Sequence, residues 1–169
     1  FLSRTIFYLT FYVLKVIIKE SWILIIFLQD LYKEAAMLSP KELTEILKAG
    51  GMKITPQRLE VYRAFTGPEE HPTATEIYER VKEQMPTLSF ATIYQALGFF
   101  CRMELIQTVD VGDGIMRYDV DPRPHPHFRC EKCGKVFNLD LDYHQQLDQE
   151  TAEKTGFIIH SHQTYFLGI

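Results

Sequence analysis

The sequence predicts an α+β protein: an N-terminal winged helix-turn-helix domain followed by a small α/β domain. Three observations support this prediction. Four amphipathic segments carry helix-start signals, two strand-like segments flank the turn "GDG", and the Pro-rich "DPRPHP" then separates them from a strand–turn–strand–helix–strand pattern. The chain of 169 residues is long enough for one medium domain or two small ones that share a core.

A Ser or Thr suited to the N-cap precedes each of the four helical segments. In three of them, Pro at the first helical position or Glu at the third strengthens the signal. The four caps are Ser39, Thr55, Thr73 and Ser89. The residues predicted to face the core are Leu43, Ile46, Leu47, Leu59, Tyr62, Phe65, Ile77, Val81, Met85, Ile93, Leu97 and Phe100. The short turn "MPTL" between the last two helices is typical of a DNA-reading helix pair.

The second half of the chain changes from helical to alternating periodicity. "LIQTVDV" and "IMRYDV" predict the two strands of the wing. Beyond the Pro-rich hinge, the pattern predicts a strand at His127–Arg129, a strand at Val136–Leu141, a helix at about Tyr143–Lys154 ending at Gly156, and a strand at Phe157–Leu167. We therefore divide the chain into residues 1–36, a DNA-binding domain at 37–120, and a second domain at 121–169.

Residues 1–36 are crowded with Phe, Ile, Leu and Tyr but make a poor membrane span. Lys15, Lys19 and Glu20 lie in the middle, where each charge would cost roughly 2.5–3.5 kcal/mol. We hypothesise that this segment is translated upstream DNA and that Met37 is the native start; a membrane-associating helix and an extension of the core are the alternatives. The three cysteines are an odd number, which favours a reducing cytoplasm over a secreted disulfide scaffold.

The fourth helix carries polar side chains near its N-terminal end, the part that normally enters a major groove. Basic residues before and in the second helix could bind phosphates. The net charge of −4 gives no general attraction to nucleic acid, so an ordinary polar helix face is the alternative. The candidate DNA-contacting residues are Lys53, Arg58, Ser89, Thr92, Tyr94 and Gln95.

Cys130 and Cys133 form a Cys-x-x-Cys pair followed by Gly134. This spacing lets two thiolates bind one tetrahedral zinc ion, while the glycine permits a tight turn. A thiol redox pair is the alternative, but no βαβ unit surrounds the motif. A closed zinc site needs two more ligands. Cys101 lies on an apolar helix face and is expected to be a buried structural thiol.

Two histidines, His125 and His127, alternate just before the cysteine pair and would project to one face of a strand. Imidazoles that converge in this way can bind Fe, Mn or Zn if oxygen ligands complete the shell. Asp119 is a candidate carboxylate partner, and His71 from the helical domain is a further candidate, although a lone histidine is more often a surface or capping residue. His160 and His162 form a second alternating pair. The sequence contains no motif of a known catalytic class.

Together these motifs resemble the ferric uptake regulator family of bacterial metal-dependent repressors. The resemblance covers residues 37–169 and rests on the ordered motifs "ITPQR", "ATEIY", "SFATIYQAL", "RYD", "HPHFRCEKCGK" and "TGF". It implies a cytoplasmic homodimer that binds a palindromic DNA operator and represses when it is loaded with metal. It also implies that residues 121–169 form the α/β metal-binding dimerisation domain. Its peroxide-responsive branch, in which iron in the regulatory site reacts with hydrogen peroxide and a ligand histidine is oxidised, is the most similar.

The resemblance also implies residue roles. The regulatory site, for Fe or Mn, would comprise His71, Asp119, His125 and His127, with His71 and His125 at the oxidised positions. Structural zinc would bind Cys130 and Cys133, and the second cysteine pair of the family would follow Ile169. His162 matches a ligand of an additional metal site, whose companions are replaced by Pro124 and Pro126.

One residue departs from the pattern of the peroxide-responsive branch. That branch has a carboxylate five positions after the second cysteine, and this chain has Asn138. Its neutral oxygen is expected to weaken metal binding, and Asp140 on the same predicted strand face could substitute. An iron-, manganese- or zinc-uptake regulator without peroxide sensing is therefore the alternative function. A metal-storage protein and a thiol redox enzyme using Cys130 and Cys133 are the rivals from other classes.

Overall fold

The computed structural model describes residues 37–49, 52–67 and 69–169. The hypothesis about residues 1–36 concerns residues outside this part of the chain. So does the end of the first helical segment, which the glycine pair Gly50–Gly51 predicts. Among the described residues, no helix combines the length and apolar character needed to cross a membrane.

Four helices begin at the predicted caps: α1 (Pro40–Ala49), α2 (Pro56–Arg63), α3 (Ala74–Gln84) and α4 (Phe90–Arg102). The Thr73 side chain accepts a hydrogen bond from the backbone N–H of Glu76, whose carboxylate accepts one from the N–H of Thr73, a complete capping box. Such a cap contributes typically about 1 kcal/mol. The helix starts could be predicted because the capping interactions are local.

The helices pack around one apolar core that includes nearly all of the predicted inward residues. Leu59 and Met85 are exceptions, because both are only partly buried. Val61, on the same helix as Leu59, is fully buried. The Tyr62 ring packs edge-on against Phe100, 5.5 Å between ring centres, and the Tyr62 hydroxyl accepts a hydrogen bond from the N–H of Leu38. The core therefore fixes α4 against α2.

The wing follows α4 as a two-stranded antiparallel hairpin, β1 (Gln107–Val109) and β2 (Arg117–Asp119). An isolated bridge pairs Thr73 with Arg117, and the N–H of Tyr118 donates to the carbonyl of Pro72 at 3.0 Å. These bonds tie the loop before α3 to β2. As a result, His71 and Asp119 are brought together from distant parts of the sequence.

The C-terminal unit is a three-stranded sheet in the order β4–β3–β5 with one helix. Its elements are β3 (His127–Cys130), β4 (Val136–Asn138), α5 (Gln145–Thr155) and β5 (Tyr165–Gly168). β3 pairs antiparallel with β4 and parallel with β5. The helix ends at Gly156 in the left-handed conformation, as predicted. The α+β fold class is confirmed.

Two strand predictions in this unit were too long. The strand predicted at Val136–Leu141 ends at Asn138, and that predicted at Phe157–Leu167 is reduced to Tyr165–Gly168. β3 offers only four residues for pairing, and β5 uses all of them. The preceding Phe157 and Ile158 are 70% and 85% exposed, so their apolar character does not reflect a strand packed within this chain.

The wing packs against the C-terminal sheet. Asp113 in the wing turn binds Arg117 through both carboxylate oxygens, and its Oδ2 also lies 3.2 Å from Arg129 Nε on β3. Gln163 donates to the carbonyl of Thr108 at 2.9 Å. A small apolar cluster lies between the two units: Val109, Val111 and Val136. These contacts hold the two units side by side.

A glycine pair in the wing turn offers a test of this docking. Gly112 and Gly114 both have φ of +74°, but a Cβ at Gly112 would lie 2.5 Å from the Tyr165 hydroxyl, whereas none of the described atoms lies near one at Gly114. We expect Gly114→Ala to lower the free energy of unfolding by about 1 kcal/mol from backbone strain alone. Gly112→Ala should lower it by about 1 kcal/mol more. Urea unfolding of both variants would measure this difference, and equal losses would contradict the docked wing.

Candidate metal centre

Four side chains from separate elements converge at the boundary between the wing and the C-terminal sheet. His71 comes from the loop before α3, Asp119 from β2, His125 from the hinge and His127 from β3. One potential ligand atom from each lies within 4.8 Å of all the others. Asp119 Oδ2 is at the middle, 3.5, 3.1 and 3.4 Å from the Nε2 atoms of His71, His125 and His127.

The cluster is shielded from solvent. Asp119 is 0%, His127 6% and His71 8% exposed, and His125 is half-buried. Burying so many polar groups is costly unless they are paired or bind a metal. Nδ1 of His71 is buried without a hydrogen-bond partner among the described residues. Three imidazoles and a carboxylate fit a divalent transition-metal ion.

Asn138 is the fifth member of the centre. Its Oδ1 lies 2.7 Å from His71 Nε2 and 2.8 Å from His125 Nε2. The β3–β4 register places Asn138 directly opposite His127, which fixes this position. Asp140 is exposed and lies outside the cluster, because β4 ends at Asn138 and the two-residue alternation does not continue. The expectation that Asp140 could substitute for the missing carboxylate is therefore not supported by its position.

Surrounding hydrogen bonds orient the ligand side chains. Asp119 Oδ1 accepts a hydrogen bond from the N–H of Asp121 at 2.8 Å, so that Oδ2 faces the imidazoles. His125 Nδ1 donates to the carbonyl of Arg123 at 2.9 Å, so its Nε2 points into the centre. Gln107 donates to that same carbonyl at 2.9 Å and to the carbonyl of Asp121 at 2.7 Å, which holds the hinge in this shape. Such outer contacts set the direction and the tautomer of a ligand histidine.

Sequence reasoning missed two interactions that support the centre. In the first, Gln107 donates hydrogen bonds to the hinge carbonyls, a position that only the β1–β2 register reveals. In the second, Glu70, adjacent to His71, forms a two-point ion pair with Arg80 of α3 at 2.6 and 2.7 Å. The hydrogen bonds from Arg80 outweigh the effect of burial and lower the pKa of Glu70 to about 2. "EEH" in a polar loop gave no signal that the second glutamate anchors the loop to α3.

The electrostatics of the centre depend on Asp119. Burial alone would raise the pKa of this carboxyl group, but hydrogen bonds from three histidines hold it well below its usual range. Burial lowers the pKa of His125, but its hydrogen bond and charge attraction to Asp119 outweigh burial and raise it to about 9. The pKa of His127 is lowered by burial and by the neighbouring imidazoles. The ion-free centre therefore holds a proton on His125 at neutral pH.

The cysteine pair lies in the turn between β3 and β4, where Gly134 has φ of +71° as the predicted tight turn requires. Cys130 is half-buried and Cys133 is exposed. Backbone N–H groups of Cys133 and Lys132 lower the pKa of Cys130, which favours the thiolate that binds metal. Within the described ranges, no third His, Cys or carboxylate joins the pair as a ligand. Cys101 is half-buried against the helical core, and burial raises the pKa of its thiol.

His162 lies in a different environment from the four ligands. Its Nδ1 is 2.7 Å from Asp148 Oδ1, and its ring stacks on Tyr143 with 4.4 Å between ring centres. No third ligand joins His162 and Asp148 in the described part of the chain. His160 and His144 are exposed.

The predicted DNA-contacting residues surround the N-terminal ends of α2 and α4. Ser89, Tyr94, Gln95 and Lys53 are exposed, while Thr92 is half-buried and hydrogen-bonds the Ser89 hydroxyl at 2.9 Å. An open cleft of about 390 Å³ lies between the two helix starts, and the N-terminal end of a helix favours anions such as phosphates. This cleft is lined by Thr55, Gln57, Arg58, Thr87, Ser89 and Gln95.

Arg58 has a structural role beside any contact with DNA. Its guanidinium lies 3.8 Å from the centre of the Phe99 ring and donates to the carbonyl of Lys53 at 3.0 Å. The cation–π contact joins α2 to α4. Arg58 therefore borders the cleft from a position that packing already fixes.

The fold and the centre define a winged-helix protein with a candidate metal site between its two units. The sequence profile described as the ferric uptake regulator family matches residues 49–167, and the chain belongs to this family. The "Peroxide operon regulator" of Bacillus subtilis (strain 168) is 33% identical over 129 residues, covering 76% of this chain and 89% of that protein. The "Peroxide-responsive repressor PerR" of Staphylococcus epidermidis is 32% identical over 123 residues, covering 73% and 82%.

Solved structures show the same fold. The Campylobacter jejuni peroxide stress regulator superposes with a TM-score of 0.51 at 27% identity, covering 74% of this chain and 93% of that one. A zinc uptake regulator complexed with zinc and DNA has a TM-score of 0.64 at 22% identity, covering 78% and 93%. At that identity the likeness concerns the fold alone.

The raised pKa of His125 predicts how metal affinity depends on pH. A proton competes with the ion for Nε2 until the pH exceeds about 9, whereas an unperturbed histidine would stop competing above 6.5. Affinity for Mn²⁺ should therefore rise by up to about tenfold per pH unit between about pH 7 and about pH 8.5. The electron paramagnetic resonance of free Mn²⁺ measures this binding.

The exposed His160 provides the control, since His160→Ala should leave the slope unchanged. A flat affinity profile for the unaltered protein over the same range would contradict the protonated state of His125.

Proposed function

We propose that this chain is a metal-dependent, DNA-binding transcriptional repressor whose regulatory ion binds His71, Asp119, His125 and His127. One observation carries the proposal: the four side chains come from both units and meet at their boundary. An ion held there would join the helical unit to the C-terminal sheet. Membership of the ferric uptake regulator family and the named functions of the relatives support the same function.

The residues suggest how an ion would regulate DNA binding. When bound, the ion supplies positive charge that neutralises Asp119 and replaces the proton on His125. His71 is fixed to α3 through Glu70 and Arg80, so its ligation would restrain the helices that carry the DNA-contacting face. An ion shifts the protein toward the DNA-competent arrangement only by its greater affinity for that arrangement. Ligands on both sides of the hinge provide that difference.

A second copy of the chain and a palindromic operator complete the proposed assembly. The C-terminal unit leaves large apolar side chains exposed, including Phe137, Leu141, Leu147, Phe157 and Ile158. Exposed apolar surface of this kind usually marks an interface. We assign dimerisation to the unit at 121–169 and operator binding to the unit at 37–120, in the cytoplasm. A homologous fold has been solved with zinc and DNA.

The metals follow from the donor sets. The imidazole, carboxylate and amide ligands of the regulatory centre suit iron or manganese, and the thiolates of Cys130 and Cys133 suit structural zinc. Peroxide sensing, with iron in the centre, is the function that the names of the relatives favour. A metal-uptake regulator without peroxide sensing is the second candidate, and Asn138 favours it because the centre has one carboxylate where the peroxide-responsive branch has two.

Removal of one ligand tests the regulatory role. We expect His127→Ala to abolish Mn²⁺-dependent binding to the DNA upstream of the protein's own gene, because the centre loses a buried imidazole beside Asp119. Gel-shift titrations with and without Mn²⁺ measure the effect, and circular dichroism checks that the fold is retained. His144→Ala, at an exposed position, should bind as the unaltered protein does. Normal metal dependence in His127→Ala would refute the assignment.

Intact mass after peroxide treatment tests the sensing function. The iron-loaded protein should gain one oxygen atom, located by peptide mapping on His71 or His125, whose Nε2 atoms lie beside Asn138 Oδ1. The zinc-loaded protein should gain none, since zinc has no redox chemistry. If the iron-loaded protein stays unmodified and still binds DNA after peroxide treatment, the protein is a metal-uptake regulator without peroxide sensing.

A further inference from the structure

The amide of Asn138 occupies the position in the centre where a second negative charge could lie. Its Oδ1 contacts two ligand imidazoles, at 2.7 and 2.8 Å, and the pairing with His127 across β3 and β4 fixes its backbone. It is therefore a full member of the centre, but it carries no charge. An amide oxygen can bind a metal ion as a neutral ligand.

The remaining carboxylates near the centre are engaged elsewhere. Glu70 is paired with Arg80, and Asp121 is paired with Arg123. Asp140 is exposed and outside the cluster. Asp119 is the only carboxylate that the described residues contribute to the centre. Three imidazoles, one carboxylate and one amide would leave a bound divalent ion with one uncompensated positive charge in a buried place.

Divalent ions do not depend equally on anionic ligands. Mn²⁺ gains least from imidazole and relies most on carboxylate oxygen, whereas Fe²⁺, Co²⁺ and Zn²⁺ gain progressively more from nitrogen ligands. Loss of one negative charge should therefore weaken the binding of Mn²⁺ more than that of the later ions. Three buried imidazoles retain the interactions on which the later ions depend.

We propose that Asn138 determines the metal selectivity of the centre, by widening its preference for imidazole-binding ions such as Fe²⁺ over Mn²⁺. This inference rests on the proposed regulatory function of the same site. It goes further in naming the class of ion to which the repressor responds. At a manganese concentration that would load a centre with two carboxylates, this protein stays free of manganese and remains able to bind iron.

A purely structural role for Asn138 would have a different consequence. Its amide oxygen could serve only to bridge His71 and His125 and hold their rings in place. Aspartate at the same position has the same size and keeps an acceptor oxygen, so it preserves a bridge but adds the charge. Asn138→Asp therefore separates the selectivity role from the bridging role.

The test compares Mn²⁺ with Co²⁺, a stable stand-in for the imidazole-preferring ions. Dissociation constants for both ions are measured for the unaltered protein, Asn138→Asp and Gln84→Glu. The last variant also turns an amide into a carboxylate, but at an exposed position at the end of α3, outside the cluster. Free Mn²⁺ is followed by electron paramagnetic resonance. Co²⁺ is followed by its visible bands, in which thiolate ligation at Cys130 and Cys133 gives a separate charge-transfer signal.

We expect Asn138→Asp to tighten Mn²⁺ binding by about tenfold or more and Co²⁺ binding by clearly less. The ratio of the Mn²⁺ dissociation constant to the Co²⁺ dissociation constant should therefore fall. Gln84→Glu should move both constants by the same small factor. An unchanged ratio in Asn138→Asp overturns the inference. An equal fall of the ratio in Gln84→Glu also overturns it.

A third variant, His127→Ala, distinguishes failure of the selectivity inference from failure of the proposed function. If His127→Ala abolishes binding at the centre while Asn138→Asp leaves the ratio unchanged, the site is a metal centre and the selectivity inference alone is wrong. If His127→Ala changes neither constant, the ions bind elsewhere, and both the site assignment and the inference fail.

Discussion

The contact of one buried carboxylate with three imidazoles is the interaction on which the rest of the site depends. Asp119 Oδ2 lies 3.1 to 3.5 Å from the Nε2 atoms of His71, His125 and His127. In an ion-free protein this arrangement requires a proton on one imidazole. His125 carries it, because its pKa is raised by Asp119. The same geometry suits a divalent ion. Proton and metal therefore compete for one buried place, and the fold is organised to keep that place available.

The surrounding structure holds the two halves of the centre at a fixed distance. The N–H of Tyr118 and the carbonyl of Pro72 join the His71 loop to β2, while Asp113 and Arg129 join the wing to the sheet. These contacts are between protein groups only, and they position ligands from both units. Positioning ligands in this way reduces the ordering cost of binding an ion.

Local sequence signals predicted much of the helical unit and part of the candidate site. The helix starts and the wing follow from capping chemistry and periodicity. The spacing of His125 and His127 indicates a pair of metal ligands. That His71 and Asp119 join them is what the resemblance to the ferric uptake regulator family implies. The features that depend on long-range contacts could not be predicted in this way. Whether Asn138 or Asp140 reaches the centre depends on where β4 ends, and the support of the hinge by Gln107 depends on strand register. The strand predicted at Phe157–Leu167 was too long because periodicity cannot show how many residues of β3 are available for pairing.

The most direct test of a metal centre at Asp119 is anomalous diffraction from crystals of the protein grown with a divalent transition metal. We expect one peak at the wing–sheet boundary, within bonding distance of Asp119 Oδ2, Asn138 Oδ1 and the Nε2 atoms of the three histidines. A peak at Cys130 and Cys133 would be a separate zinc site. If the only anomalous peak lies at the cysteine pair, with His71 and His127 beyond bonding distance of any metal, the proposed metal centre is wrong.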